Sequence, residues 1–377
     1  MIVEIGSSLS KGMKLKIHSD ERYLLKQDGV RPHPMLYPFW KHLAEDGAYS
    51  WMKFHEPYMQ IAQDLFEMTS LEEADFAIMP DDWRTVVGEV WYANVNHEAK
   101  ELYLQFAEKV QQAGKPLIIF FGSDRSDEAV CIENTYIFRH SYYRSRQQPK
   151  NFVWPSFCED LVEHYLNGSL PIREKSNKPV IGFSGCIKSK SVTNQLKKLA
   201  YYGHMLLHHQ RLGFPPIQGH ILRSKLLALF EHSPLVATNF DVYDRMVFLT
   251  EKNMETRHKH RTEFVENIVN SDYVICPRGA GNYSNRLFET LCCGRIPILI
   301  NTDCALPYDF ALDWKKYCVW VEESEVSQIA KKVSQFHQRL SPEEFIELQQ
   351  QCRKMWKEWL SSEGFYSKLH LHFQSYP

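Results

Sequence analysis

The stretch Ser271–Ile300, SDYVICPRGAGNYSNRLFETLCCGRIPILI, limits the fold of this chain more than any other. Tyr273–Cys276 is a short apolar run of strand type, and Pro277–Asn285 is a polar, glycine-containing turn. Arg286–Cys293 reads as a short helix, with Gly294 where a C-cap glycine is expected. Ile296–Ile300 is a second β-branched run. Strand, loop, helix and strand in this span have the length of a crossover between parallel strands. A parallel sheet follows, and with it an α/β fold class.

The loop and the helix start carry polar chemistry. In open α/β sheets, ligands sit beyond the carboxyl ends of strands, against helix N-termini. Free backbone N–H groups and the helix dipole there favour anions such as phosphate. Gly279 and Gly281 allow close backbone approach, Asn282 adds an amide, and Ser284 or Asn285 caps the helix. Arg278 and Arg286 have the fork geometry suited to a diphosphate. Glu289 lies one turn after Arg286 on the same face, while Leu287, Phe288 and Leu291 point to the core. A carboxylate beside two arginines suits a sugar diol such as ribose. On spacing alone, an ordinary crossover with a surface Arg286–Glu289 pair fits as well.

At 377 residues the chain exceeds the size at which one core stops growing, so two domains are expected. We place them at residues 1–172 and 178–340, with a C-terminal helix over 341–377 packing back across the boundary. In the first, Met13–Ile17, Asp75–Met79, Pro116–Phe121 and Asn151–Trp154 read as strands, and Glu56–Met68 and His97–Ala113 as helices. The polar segment Pro171–Pro179 reads as the linker. Val180–Phe183 then opens the second domain as a strand, with Ser184–Gly185 a turn and Ser191–Tyr201 the opening of a helix. Gly185 and Lys188, with Lys190, lie where a diphosphate approaches. Four histidines within His204–His220 match no standard zinc spacing. Arg257–Arg261 is locally basic, just before a helix over Glu263–Val269. Tyr317–Val321 reads as a strand, and Ser324–Phe336 and Pro342–Leu360 as helices.

The net charge of −2 gives no footprint for a nucleic-acid partner. The nine cysteines are odd in number and form no CxxC pair. No apolar run approaches the roughly 20 residues of a membrane span, and no leader is visible. The expectation is a reduced, cytoplasmic protein with no transmembrane segment, leaving peripheral membrane association open.

The central stretch resembles the signature of exostosin-family glycosyltransferases: CPRG at Cys276–Gly279, SNRLFE at Ser284–Glu289 and GRIPILI from Gly294. LEEADFAIMP, Leu71–Pro80, is similar to a second family segment. The resemblance implies two Rossmann-like domains facing a cleft, the glycosyltransferase B fold. It implies a nucleotide-diphosphate sugar as donor, a UDP-sugar in preference to a GDP-sugar, and a glycan or other hydroxyl acceptor. It implies transfer with inversion and no required metal or other cofactor. Arg278, Arg286 and the backbone around Gly185 and Gly279–Gly281 then neutralise the leaving diphosphate, and Glu289 holds ribose or a donor-sugar hydroxyl. The base that deprotonates the acceptor is expected just after a first-domain strand. Asp124 is preferred, followed by Asp82 (or its neighbour Asp81) and Asp127, with His33 a weaker candidate. A fucosyltransferase-like enzyme using a guanosine nucleotide, and an inactive nucleotide- or sugar-binding protein, are the alternatives.

Overall fold

The computed structural model describes residues 14–44, 50–88, 94–187, 216–243 and 253–374. The chain divides into two compact units. The first comprises Met1–Phe157, Asp303–Leu312 and Glu358–Pro377, and the second Cys158–Thr302 and Asp313–Lys357.

Unit 1 runs β1 (Leu15–His18), α1 (Glu56–Leu65), β2 (Phe66–Met68), β3 (Phe76–Ile78), α2 (His97–Gln112), β4 (Leu117–Phe121), β5 (Thr135–Arg139) and β6 (Asn151–Val153). Its sheet has the order β2-β1-β3-β4-β5-β6, and every pair is parallel. The apolar run of β4 follows from burial on both faces. Ile118 and Phe120 join one core with Ile17, Phe76 and Phe138 under α1. Leu117, Ile119 and Phe121 join the other with Phe106, Ala107 and Val110 of α2. Phe365 and Tyr366, from the short helix Ser362–Ser367, complete the first core. The sequence reading extended α1 to Met68. Its last three residues are instead edge strand β2, paired with β1.

Unit 2 runs α3 (Leu161–Tyr165), β7 (Val180–Cys186), α4 (Pro216–Glu231), β8 (Ala237–Tyr243), α5 (Met254–Val269), β9 (Tyr273–Cys276), α6 (Asn285–Cys292), β10 (Ile296–Asn301), β11 (Val319–Glu322), α7 (Ile329–Arg339) and α8 (Pro342–Met355). Its parallel sheet has the order β11-β10-β9-β7-β8. Strand succession turns back between β7 and β9, so the carboxyl ends of these two strands form the crevice where α/β sheets bind ligands. Gly294 has φ +60° and closes α6, with Arg295 N–H reaching Thr290 O at 2.9 Å, as a C-cap glycine should.

Several boundaries differ from the sequence reading. The units part at 157/158, because α3 is fastened to α6: Leu161 N–H donates to Cys292 Sγ at 3.3 Å. Pro171–Pro179 is an anchored strap and not a free linker. The fully buried Asp272 accepts from Val180 N (2.8 Å), Arg173 Nε (2.6 Å) and Ser176 Oγ (3.3 Å). Arg295, also fully buried, donates to Pro171 O (2.6 Å), Val269 O (2.8 Å) and Gln349 Oε1 (3.2 Å), tying strap, α5 and α8 together. The tail is not one helix: α8 ends at Met355 in unit 2, a π-turn covers Trp356–Leu360, and residues from Glu358 onward belong to unit 1. Arg257–Arg261 lies within α5 and not before it.

Candidate functional site

The β9–α6 loop stands at the switch point of the unit 2 sheet. Arg286, in the first turn of α6, donates from Nη2 to Ser184 O of β7 at 2.5 Å. Its guanidinium lies 4.4 Å from the Phe183 ring centroid and 5.9 Å from that of Phe264. Its Nε is buried without a hydrogen-bond partner, and among the described residues it makes no ion pair. Burial pushes its pKa below the ordinary arginine value. The first turn of α6 thus presents a partly desolvated cation whose close partners are one carbonyl and two aromatic rings.

Gly185 does not sit in a turn. β7 continues through Cys186, and a Cβ at Gly185 would stand 2.7 Å from Arg286 Nη2. A side chain here would displace the arginine tip. A tight approach to the loop backbone escaped the sequence reading: a Cβ at Gly219 of α4 would lie 2.5 Å from Gly279 O. A Cβ at Gly279 would meet only Tyr283 O, at 3.7 Å, which Gly279 N–H itself bonds at 2.8 Å. Arg278 is buried and folds back on its loop, donating to Ala280 O at 3.0 Å. Gly281 is buried in the same loop. Asn282 serves the loop: its amide donates to Thr302 O (3.1 Å) and accepts from Thr302 Oγ1 (2.7 Å), with 1% of the residue exposed. Both ends of its amide are thus engaged within unit 2. Ser284 occupies the N-cap position without a side-chain cap bond, and Asn285 is exposed at the first helical position. Lys188, with Lys190, the helix over 191–201, His204, His208 and His209, lies outside the described residues. No cluster of three metal-ligating side chains occurs among the described residues.

Glu289 does not pair with Arg286. Its Oε1 accepts from Arg261 Nη1 of α5 at 2.7 Å. Arg261 Nε also donates to Glu159 Oε1 at 3.2 Å, and Tyr165 OH donates to the same oxygen at 3.0 Å. Burial opposes the charge on Arg261, but Glu289 and Glu159 outweigh it and raise its pKa above the ordinary arginine value. Arg261 and Glu159 were missed as members of this group. The only signal was a basic run, and the pairs span 28 and 102 residues.

The unit 1 candidates separate by what they touch. Asp82 is engaged by the backbone: Gly122 N donates to its two oxygens at 3.0 and 2.9 Å, and Arg84 N at 2.8 Å. Asp127 faces Arg146 at 3.5 Å, and burial raises its pKa. Asp124 stands part-exposed in a run of turns after β4, so no helix follows for it to cap. His33 is a core residue. It stacks on Phe120 at 3.9 Å, accepts from Met35 N at 3.3 Å, and burial keeps it neutral. Asp82, Asp127 and His33 are thus each engaged by neighbours within unit 1.

Asp81 is buried, and its Oδ2 accepts from Thr85 Oγ1 (2.5 Å) and Tyr103 OH (3.0 Å). Burial raises its pKa from 3.8 to about 6. The folded state therefore holds this proton more tightly than the unfolded chain. Its contribution is complete below pH 3.8 and is lost as pH rises through about 6. Chemical denaturation between pH 4 and 7 should show wild type losing up to about 3 kcal/mol relative to Asp81→Asn across that window.

With this geometry in view, comparison with known proteins is specific. Residues 225–336 match the family model for the Exostosin GT47 domain. That segment is thus similar to an exostosin GT47 domain. The matched segment begins in α4, includes the Arg286 loop and α6, and ends in α7. Exostosin-1 of Drosophila melanogaster is 24% identical over 205 residues, which cover 53% of this chain and 25% of that protein. Probable beta-1,4-xylosyltransferase IRX10 of Arabidopsis thaliana is 33% identical over 70 residues, 19% of this chain and 17% of that protein. The chain thus matches a quarter or less of the length of these relatives. Among solved structures, S. aureus TarM in complex with Fondaparinux, alpha-GlcNAc-glycerol and UDP overlaps with a TM-score of 0.34 at 12% identity, over 84% of this chain and 54% of that one. The catalytic domain of starch synthase IV from Arabidopsis thaliana overlaps with a TM-score of 0.27 at 13% identity, over 80% of this chain and 56% of that one. No described helix of the chain is long and apolar enough to cross a membrane.

Proposed function

We propose that this chain is a glycosyltransferase that takes its sugar from a nucleoside diphosphate donor held at the β7–β9 switch point. The observation that carries this reading is Arg286, a part-buried cation at the carboxyl end of β7 that makes no ion pair among the described residues, although Glu289 lies near enough to act on its charge. A desolvated guanidinium that touches no carboxylate is costly unless an anion completes it. A diphosphate does so with charge-assisted bonds, and the N-terminus of α6 adds its dipole. The diphosphate gains negative charge as the sugar leaves, so the same groups lower the barrier. Transfer on this plan is metal-independent and inverting. Glu289 keeps Oε2 for a sugar or ribose hydroxyl while Arg261 holds Oε1. The xylosyl group in the name of the Arabidopsis relative favours a uridine over a guanosine diphosphate, and a saccharide hydroxyl as acceptor.

Calorimetric titration of the full chain with UDP, GDP and ADP, each with and without EDTA, tests this. The expected result is saturable UDP binding that survives chelation, with GDP weaker by at least about tenfold, about 1.4 kcal/mol. Absence of binding by every diphosphate at millimolar concentration would overturn the reading, and preference for GDP would replace the uridine donor.

A further inference from the structure

Four buried polar atoms with no hydrogen-bond partner gather at the carboxyl end of the unit 1 sheet: His33 Nε2, His55 Nδ1, Trp154 Nε1 and Tyr366 OH. No more than 6% of any of these residues is exposed. The sheet helps to place them. His33 N–H donates to Pro80 O at 2.8 Å, just beyond β3, and Trp154 directly follows β6. Ring contacts join all four. The His33 and Trp154 centroids lie 5.5 Å apart, and Trp154 lies 5.5 Å from Phe157. His55 and Tyr366 meet the same Phe157 ring at 5.3 and 5.9 Å. Gly122, directly after β4, lies at the edge of the group. A Cβ there would stand 2.7 Å from Asp82 Oδ2, 3.2 Å from Trp154 Cζ2 and 3.3 Å from His140 Cε1. The edge of the indole that carries its N–H thus lies beside the Asp82 carboxylate. Gly122 and His140 are both part-exposed, so solvent reaches this edge of the group.

We propose that this group is a binding site for an uncharged saccharide unit. Buried polar atoms in native proteins are nearly always paired, and an unpaired one costs stability. Four in one cluster, at the strand ends where α/β sheets take ligands, point to a molecule that completes them. Their chemistry selects its class. Burial keeps His33 neutral, and its Nδ1 accepts from Met35 N at 3.3 Å, so Nε2 carries the proton. Trp154 Nε1 is a donor only, and the Tyr366 hydroxyl donates and accepts. The ligand must therefore bring oxygen acceptors. An anion brings them too, but the Asp82 carboxylate beside Trp154 repels it. Sugar hydroxyls bring the same oxygens without charge. The Trp154 and Phe157 rings supply the apolar wall that a site for a small molecule needs around a few placed polar groups. None of these residues belongs to the donor site of unit 2, and binding here needs no nucleotide.

The test uses the full chain without nucleotide. Saturation-transfer NMR is recorded with xylobiose, cellobiose and lactose, with inorganic phosphate as competitor, for wild type, Tyr366→Phe and Trp154→Phe. Each substitution deletes one donor and keeps an aromatic ring. The expected result is saturable binding of at least one disaccharide, unaffected by phosphate and weakened about fivefold or more in each variant. Tyr366→Phe should unfold in urea at the wild-type midpoint or above it, because its hydroxyl has no bond to lose. If Trp154→Phe loses stability through its smaller ring, Tyr366→Phe still carries the test. No disaccharide binding at tens of millimolar would overturn the proposal, since buried waters alone would then complete the group. Undiminished binding by both variants would put the sugar elsewhere and overturn it as well. So would displacement by phosphate, or a lowered midpoint for Tyr366→Phe, which would show its hydroxyl serving the fold. A failure of UDP to bind unit 2 changes none of these outcomes.

Discussion

Arg286→Met should lower affinity for a nucleoside diphosphate by about 100-fold or more, about 2.7 kcal/mol, while leaving the folded state at least as stable. The two halves have separate causes. A guanidinium on a diphosphate makes charge-assisted bonds that a thioether cannot replace, each about twice as strong as a neutral one. In the unliganded chain the same group is desolvated, with one bond to Ser184 O, the Phe183 and Phe264 rings and a buried Nε that has no acceptor. An apolar side chain of similar length relieves that desolvation. Arg286→Lys should fall between the two in affinity, because it keeps the charge and loses the fork. Titration calorimetry reads the binding and urea unfolding reads the stability. Affinity within threefold of wild type would remove Arg286 from the anion site. A large stability loss would make it a structural arginine.

The sequence foretold this site in part, and the limit has a physical form. β9, α6 and β10 were readable because each is a local pattern: a buried apolar run, a helical face with Leu287, Phe288 and Leu291 inward, and Gly294 at the stop. Arg286 and Glu289 followed from their spacing on that helix. Their partners did not follow, since Ser184, Arg261 and Glu159 are brought in by the sheet and by α5 from far along the chain. Gly185 was noticed as a loop glycine, and only the packing reveals that Arg286 fills its side-chain space. Strand β2 is three residues long, too short to show a period, and was absorbed into the helix before it. Strand β8 is an edge strand with polar, partly exposed residues, so no apolar run marked it. In unit 1 the carboxylates were found in the right places after strands. Their bonds to Gly122, Thr85 and Arg146 decide what each does, and those are tertiary facts.

The buried triad of Glu159, Arg261 and Glu289 should carry the largest single stability effect in unit 2. Arg261→Met leaves two carboxylates in a site where only 8% of the arginine was exposed, and each loses its cation. Breaking such a pair from one side costs about 3–5 kcal/mol, because the abandoned charge stays desolvated. Arg261→Met should therefore lower the urea midpoint sharply. Adding Glu159→Gln and Glu289→Gln to it should recover most of the loss, since no uncompensated charge remains. That rescue separates a charge effect from a packing effect: methionine keeps the apolar stem in both backgrounds, so a cavity would leave the triple variant as weak as the single one. The nucleotide behaves differently. Glu289→Gln should weaken diphosphate-sugar binding in either background, because the group that accepts the sugar hydroxyl has changed. Restored stability alongside unrestored affinity is the outcome that assigns Arg261 to holding Glu289 in place. Recovery of both would mean that the triad supports the fold and that Glu289 never touches the donor.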